Sequence, residues 1–206
     1  MAISFSDFLT QVRNFTEVDS NVLTDTIIGQ FIRNVELDIA GKVDYDDTRK
    51  YATSSFSTGK RFLVTPSNFL VIRSLQVFST TSISTGDRTF MEKRDTSFIT
   101  EYNGTGATGV PKYYANWDES SIVVAPTPNA DYAVQLNYII TPPSFTSSNN
   151  TYLSEYQQGM LLDGVLTEAY GFLKGPMDMY NLYKSKYNEG VQNFALQQMG
   201  RRRRAE

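Results

Sequence analysis

A run of spaced glycines is the feature of the sequence that most resembles a site for chemistry. Gly104, Gly106 and Gly109 match the pattern G-x-G-x-x-G, with which dinucleotide-binding loops hold phosphate groups. That chemistry needs a helix to begin directly after the glycines, because the helix N-terminus binds the phosphate. Here Val110 and Pro111 lead into residues typical of a strand. We therefore interpret the glycines as a loop.

Three neighbouring carboxylates, those of Asp44, Asp46 and Asp47, form a second candidate site. Calcium loops add to such carboxylates a glycine at the turn and a distal bidentate glutamate. Both are missing here, so a solvated connection between a helix and a strand is the preferred interpretation. We predict no metal site.

Histidine and cysteine are both absent from the sequence. Their absence removes the commonest general base, the commonest metal ligand and all thiolate and disulfide chemistry. No nucleophile can be paired with a base from the sequence. We predict that the protein is not an enzyme and binds no cofactor. A tyrosine-rich β-sandwich that carries Trp117 could instead bind carbohydrate, which stays an alternative function.

Positive charge is concentrated at the C-terminus, where Arg201–Arg204 are consecutive arginines. The last six residues contribute four arginines and one glutamate, so the net charge of −3 becomes −6 without them. One interpretation of the run is a solvated tail. The other is an anchor, whose guanidinium groups form bidentate hydrogen bonds to carboxylates of another protein or contact DNA phosphate. The acidic remainder argues against phosphate binding over the rest of the surface.

The elements that carry these residues begin with a helical segment at residues 4–40. Ser4 and Asp7 have the spacing of a capping box, and apolar residues then recur at helical period. Gly41 predicts the end of this segment, because glycine readily adopts the left-handed conformation that follows many helices.

Two further helices are predicted at residues 152–198. Ser154 and Gln157 have capping-box spacing, which predicts the start of the first helix. Gly175 and Pro176 predict the break between the two helices, with the glycine in the left-handed conformation and the proline opening the second helix.

Between the helical segments, β-branched and aromatic residues alternate with serine and threonine, which is typical of strands. The predicted strands lie near residues 50–57, 61–65, 69–79, 112–117, 120–125 and 132–140. A short helix is predicted at residues 95–102. The last strand has the clearest alternation, with these apolar side chains expected on one face: Tyr132, Val134, Leu136, Tyr138 and Ile140.

The order of helices, strands and helices predicts an α+β fold. We expect a helical bundle built from the N- and C-terminal helices, residues 1–48 and 144–198, with an antiparallel β-sandwich or barrel inserted at residues 49–143. Residues 199–206 form a predicted basic C-terminal arm. No apolar run is long enough to cross a bilayer, and the N-terminus lacks the pattern of a signal peptide.

The C-terminal helices carry more apolar surface than one side of a surface helix requires. The first is apolar over most of its girth, so it must be covered on several sides by its own domain or by a neighbouring subunit. The second carries an aromatic stripe that suits either the chain's own core or a contact between subunits, since amphipathic period does not separate the two. The residues predicted for subunit packing are Met160, Leu161, Val165, Tyr180, Tyr183, Tyr187, Val191 and Phe194.

A set of segments spread over residues 88–200 shares its order and spacing with one protein family. The segments are Met91-Glu-Lys-Arg-Asp95, Val110-Pro-Lys-Tyr-Tyr-Ala-Asn-Trp117, Val124-Ala-Pro126-Thr-Pro128, Tyr138-Ile-Ile-Thr-Pro142-Pro143 and Leu161-Leu-Asp-Gly-Val-Leu-Thr-Glu-Ala-Tyr-Gly-Phe-Leu-Lys174. In them the sequence resembles the head-to-tail adaptor proteins of short-tailed bacteriophages. Gly159-Met160 departs from the Pro-Asp that this family has before the paired leucines.

The resemblance implies a structural subunit of the virion neck, made in the host cytoplasm. Such adaptors form a dodecameric ring below the portal protein and join it to a tail nozzle or tube protein, and double-stranded DNA passes through without sequence recognition. The C-terminal arm docks on the portal, so Arg201, Arg202, Arg203 and Arg204 are the predicted portal-docking residues. The alternatives are a carbohydrate-binding module of a phage tail or surface protein, and a DNA-binding protein that uses the arginine run.

Overall fold

The computed structural model describes the backbone of residues 3–205 and the side chains of residues 3–201. It has the predicted α+β fold, with helices and mostly antiparallel strands. The helices are α1 (Phe5–Thr16), α2 (Asp25–Lys42), α3 (Thr96–Gly104), α4 (Tyr152–Tyr156), α5 (Gln158–Phe172) and α6 (Met177–Ala205). The strands are β1 (Arg49–Phe56), β2 (Phe62–Val64), β3 (Phe69–Phe78), β4 (Arg88–Phe90), β5 (Glu92–Lys93), β6 (Thr108–Gly109), β7 (Tyr113–Asn116), β8 (Ser121–Ala125), β9 (Thr127–Pro128) and β10 (Tyr132–Ile140).

The chain divides into two compact units. The helical unit comprises Met1–Thr48 and Pro142–Glu206, and the β unit comprises Arg49–Thr141. Both ends of the chain therefore contribute helices to one unit, while the strands and α3 form the other.

The first helical segment begins as predicted and ends differently. The Oγ atom of Ser4 accepts a hydrogen bond from the amide of Asp7 at 3.1 Å, which caps α1. The predicted end at Gly41 is wrong, because α2 continues through Lys42 and is followed by Val43 in an extended conformation. Gly41 therefore lies inside the helix.

The start of the C-terminal helices is a capping box one turn upstream of the predicted one. The amide of Ser154 donates to Oγ1 of Thr151 at 3.3 Å, and the amide of Thr151 donates to Oγ of Ser154 at 2.9 Å. Gln157 makes no capping hydrogen bond with its side chain and lies between α4 and α5. The prediction of Ser154 as the N-cap is wrong because Thr151, a second hydroxyl residue, takes that position.

The break between α5 and α6 lies where it was predicted, but another residue makes the left-handed turn. Lys174 has a φ of 51°. The amide of Gly175 donates to the carbonyl of Tyr170 at 3.0 Å, and the amide of Lys174 donates to that of Gly171 at 3.3 Å. These paired bonds form a Schellman C-cap. Glycine is required at 175 for space, because a Cβ there would lie 2.7 Å from Cδ1 of Tyr170.

Helix α5 is the centre of the helical unit. It packs against α6, α2, α1 and α4. The helices lie close together at Gly164, where a Cβ would lie 2.6 Å from Cγ1 of Val35 on α2 and 3.0 Å from the ring of Tyr187 on α6. Helices of the same chain therefore cover the broad apolar surface of α5.

Glu36 fixes the segment before α4 to α2. Its Oε1 atom accepts hydrogen bonds from the amide of Phe145 at 2.9 Å and from Oγ1 of Thr151 at 3.4 Å. The ring of Phe145 packs edge-on against Phe5, with centroids 5.4 Å apart. The Glu36 side chain is fully buried. Burial raises the pKa of its carboxyl, although the hydrogen bonds and the charge of Arg33 act in the opposite direction.

Strand β10 is the centre of the β unit. It pairs antiparallel with β1 and β3 in a sheet ordered β1-β10-β3-β4. The second sheet is ordered β2-β8-β7-β5, and its β5–β7 pair is parallel. Strands β6 and β9 form a short parallel pair. The alternation predicted for β10 is confirmed, because one core buries Tyr132, Val134, Leu136, Tyr138 and Ile140.

Candidate assembly surfaces

The arginine run lies on the final turns of α6. The predicted helix end at Gln198 is wrong, because α6 continues through Gly200 to Ala205. Its 29 residues span roughly 43 Å at about 1.5 Å per residue. Arg201 is exposed, and its Nη1 donates a hydrogen bond to the hydroxyl of Tyr152 at 2.8 Å. The side chains of Arg202–Arg204 lie outside those that the structure describes.

An aromatic cluster holds the second half of α6 to the helical unit. The ring centroid of Phe194 lies 5.5 Å from that of Tyr45 and 6.2 Å from that of Tyr152. Tyr45 and Tyr152 stack at 5.7 Å. Gln198, one turn further along α6, is also buried. The arginines therefore follow directly on a helix whose position is fixed up to residue 198.

Two large apolar side chains beside the arginines are exposed. Leu196 is 66% exposed and Met199 is 56% exposed. Their spacing of three residues places them on the same side of the helix. A shallow groove of about 470 Å³ lies next to them and is lined by Leu196, Gln197, Gly200 and Arg201. Exposed apolar side chains next to arginine are typical of protein contact sites.

The residues predicted for subunit packing lie in the chain's own core. Those that are buried there are Met160, Leu161, Val165, Tyr183, Tyr187, Val191 and Phe194. Tyr180 is partly buried against the same core. Because neighbouring helices of the chain already cover these side chains, the breadth of their apolar surface requires no second subunit. The structure therefore gives no support to assigning them to a contact between subunits.

Other apolar side chains of the helical unit are left uncovered by the chain itself: Phe15, Val22, Leu37, Tyr156, Phe172, Met177 and Leu182. Two of them flank the turn between α5 and α6, where Phe172 is 52% exposed and Met177 is 66% exposed. A groove of about 430 Å³ at this turn has the following lining residues: Tyr170, Gly171, Lys174, Gly175, Met177 and Tyr180. This turn is a surface that a neighbouring protein could cover.

The residues that suggested chemistry in the sequence lie in turns, at a helix end and in a short strand. Helix α3 ends at Gly104, and Gly109 belongs to β6, so no helix begins after the glycines. Asp46 and Asp47 belong to a short 3-10 turn that precedes β1. Within the described residues, no acidic cluster has the arrangement of a metal site. The absence of catalysis and of a cofactor stays a prediction.

Trp117, the residue behind the carbohydrate alternative, follows β7 and is 51% exposed. Its ring contacts Phe62 edge-on, with centroids 5.5 Å apart. The neighbouring Asp118 accepts hydrogen bonds from the amide of Ser120 at 2.7 Å and from Oγ of Ser121 at 2.8 Å. Sugar sites combine an exposed ring with converging polar groups. Here the carboxylate is occupied within its own turn, and the ring's neighbour is apolar.

Comparison with known families identifies the family of the chain. A sequence model of the SU10 adaptor protein family matches residues 3–206. The chain belongs to the SU10 adaptor protein family. The resemblance to phage head-to-tail adaptors is thereby confirmed, and the chain is a phage adaptor protein. No curated protein matches the adaptor. None of the helices described in the adaptor is both long and apolar enough to span a membrane.

Proposed function

We propose that the adaptor is a structural subunit of a phage neck, where its copies form a dodecameric ring that joins the portal to the tail nozzle or tube. The family match over residues 3–206 carries this proposal. Double-stranded DNA passes through the ring without sequence recognition, and the acidic body of the subunit repels the phosphates of the passing duplex. The subunit is made in the host cytoplasm and resides in the virion.

The end of α6 is the proposed portal-docking element. Arg201–Arg204 supply guanidinium groups, which form bidentate hydrogen bonds to carboxylates. Leu196 and Met199 supply apolar contact area from the same end of the helix. Full burial of one such side chain contributes about 1.5–3 kcal/mol. We therefore expect the portal to offer an apolar groove bordered by acidic side chains.

The turn between α5 and α6 is the proposed contact between neighbouring subunits of the ring. Phe172 and Met177 are exposed there in the single chain. A repeated contact of this kind buries the turn of one copy against a different surface of the next, as closed rings require. The buried aromatic stripe of α6 then stabilises the subunit rather than the ring.

Deleting residues 199–206 tests the docking role. The truncated chain keeps Gln198, the last buried side chain described on α6, so the helical unit retains its core. We expect the deletion to abolish portal binding in a pull-down with purified portal while the circular dichroism spectrum and melting temperature stay close to those of the full chain. Portal binding at full strength would contradict the docking role of α6.

A pair of leucine variants separates apolar docking from the general effect of losing an exposed leucine. Leu196→Ser should weaken portal binding by about tenfold or more, as expected for an apolar anchor. Leu182→Ser is the matched control, because Leu182 is 44% exposed on the same helix but far from the arginines. It should bind like the wild type. Equal effects of the two changes would argue against an anchor at residue 196.

Replacing Arg201–Arg204 by glutamine tests the basic part of the contact. We expect weaker portal binding and a smaller dependence of that binding on salt, because exposed ion pairs are screened. Changing Lys184 and Lys186 to glutamine controls for removal of positive charge elsewhere on α6. Tight, steeply salt-dependent binding of duplex DNA by the free adaptor would instead support a DNA-binding role for the arginines.

A further inference from the structure

The second sheet of the β unit ends in an uncovered edge strand, β2. The sheet order β2-β8-β7-β5 leaves one side of β2 without a neighbouring strand. Leu63 points into the core, whereas Phe62 is 46% exposed and Val64 is 77% exposed. Half-exposed Trp117 contacts the Phe62 ring, so these side chains form one apolar patch on the outer face of the sheet.

At this patch, the backbone amides and carbonyls of β2 point toward the open edge of the sheet. The amide of Thr65 donates to a carbonyl of the β7–β8 turn at 2.8 Å, and the carbonyl of Arg61 accepts from an amide of β8 at 2.9 Å. In an antiparallel strand, the backbone amides and carbonyls of alternate residues point to opposite edges of the strand. The amides and carbonyls of Phe62 and Val64 therefore point away from β8, toward the open edge.

Helix α3 covers the same face of the sheet elsewhere and does not extend over β2. Ile99 of α3 packs with Ala115, Val123 and Ala125 of β7 and β8. The exposed fractions of Phe62 and Val64 show that this cover ends before the edge. An edge strand with free backbone groups and exposed apolar side chains is a template for pairing with another strand.

The charges at the two ends of β2 are opposite. Lys60 and Arg61 are exposed at its start. At its far end, Oγ1 of Thr65 donates to the carbonyl of Glu119 at 3.4 Å, which brings the acidic turn Asp118-Glu119 beside the strand. Among the residues that the structure describes, no ion pair occupies Lys60, Arg61 or Glu119. The edge is thus positive at one end and negative at the other.

We propose that β2 pairs with β2 of a second copy of this chain, antiparallel and about a twofold axis at Leu63. In this register Phe62 lies opposite Val64 of the second copy, and each such pair exchanges two backbone hydrogen bonds. Arg61 lies opposite Thr65 of the second copy and therefore next to the Glu119 that accompanies it. The twofold axis repeats this contact, so the positive end of each strand meets the negative end of the other.

A second copy fits this edge because the edge is complementary to itself. Aromatic and β-branched side chains that face each other across strands stabilise a sheet, and both Phe62–Val64 pairs are of this kind. Pairing also removes the open edge of an unassembled subunit, which otherwise invites aggregation. A twofold contact joins copies in pairs and cannot close a ring, so this inference is independent of the proposed ring.

Sedimentation velocity of the full chain tests the pairing. We expect a monomer–dimer equilibrium that shifts toward monomer as salt rises. Arg61→Glu and Glu119→Lys should each weaken self-association by at least about tenfold, because each places like charges opposite one another twice. An equimolar mixture of the two variants should recover wild-type association, because both contacts in the mixed dimer are again attractive.

Three results would overturn the pairing: a wild-type chain that is monomeric up to its solubility limit, charge variants that associate like the wild type, or a mixture that does not recover. Val64→Pro provides a second measurement. Proline is tolerated at an edge where the amide faces solvent, so the fold should persist. Each copy loses the hydrogen bond donated by its residue 64 amide, so the dimer loses two of its pairing hydrogen bonds as well as the fit of the strands. Val64→Ile keeps the amide and should dimerise like the wild type.

Discussion

Replacing Glu36 by alanine should destabilise the helical unit and release the segment before α4. The Glu36 carboxylate accepts the amide hydrogen of Phe145 at 2.9 Å, and both residues are almost fully buried. Alanine leaves that amide without a partner, which costs about 1–3 kcal/mol. The cavity left by the deleted atoms adds roughly 1 kcal/mol, on the scale of a buried methylene group. The expected loss in the free energy of unfolding is therefore about 2–4 kcal/mol.

Glutamine at the same position separates the hydrogen bond from the charge. Its amide oxygen keeps the acceptor for the Phe145 amide. Oε2 of Glu36 lies 3.8 Å from Nη1 of Arg33, which is longer than a hydrogen bond. We expect Glu36→Gln to be more stable than Glu36→Ala at neutral pH, because it keeps the acceptor of the Phe145 amide.

The pH dependence follows from the direction of the pKa shift. Burial raises the pKa of Glu36 above its ordinary 4.5. Between 4.5 and the raised value, the folded chain holds this proton more tightly than the unfolded chain does. The free energy of unfolding of the wild type, compared with that of Glu36→Gln, therefore falls as the pH rises through this window. Below the window the contribution of the protonated carboxyl is fully present.

Urea unfolding followed by circular dichroism measures the stabilities, and hydrogen exchange of peptides covering residues 142–151 measures the local release. Glu189→Ala is the control, because Glu189 is exposed on α6. We expect fast exchange of the 142–151 peptides in Glu36→Ala alone. If Glu36→Gln proved as unstable as Glu36→Ala at neutral pH, or if Glu36→Ala matched Glu189→Ala, the buried hydrogen bond to Phe145 would not have the stabilising effect expected of it.

Two further substitutions test packing and backbone conformation in the helical unit. Gly164→Ala places a Cβ 2.6 Å from Cγ1 of Val35 and should cost about 1–3 kcal/mol in urea unfolding, whereas Gly29→Ala, in open space on α2, should stabilise by about 0.5–1 kcal/mol. A stabilising Gly164→Ala would contradict the close approach of α5 and α2. Lys174→Gly should raise the free energy of unfolding by about 1 kcal/mol, because glycine adopts the φ of 51° without the steric cost of a Cβ. Lys174→Ala should give no such gain, and equal stabilities of the two variants would count against strain at this turn.

The parts of the fold that could be predicted from sequence are those set by short-range pattern. Alternation placed the core face of β10, and a hydroxyl with a carboxylate three residues later placed the cap of α1 at Ser4. The fold class followed from the order of these patterns along the chain. Predictions from local pattern were wrong where two nearby residues could each take the same position at a helix end. Thr151 displaced Ser154 as a cap, and Lys174 made the left-handed turn that glycine usually makes.

The candidate surfaces depended on information that spacing does not contain. The apolar girth of α5 suggested a neighbouring subunit, yet four helices of the same chain surround it. The neighbours that cover α5 could not be predicted, because helical period shows how much of a helix surface is apolar but does not show what lies against it. Leu196 and Met199 carried a usable signal, since they lie off the aromatic stripe of α6 next to the arginines. Glu36, a charged residue within an apolar stripe, was a second such signal.

Purified virions offer the most direct test of the adaptor's role. Quantitative mass spectrometry and electron cryomicroscopy of the neck would show whether this chain lies between portal and tail, and in how many copies. We predict a closed dodecameric ring with the C-terminal end of α6 against the portal. Virions that lack the chain, or that carry it as a single copy beside the portal, would contradict the account.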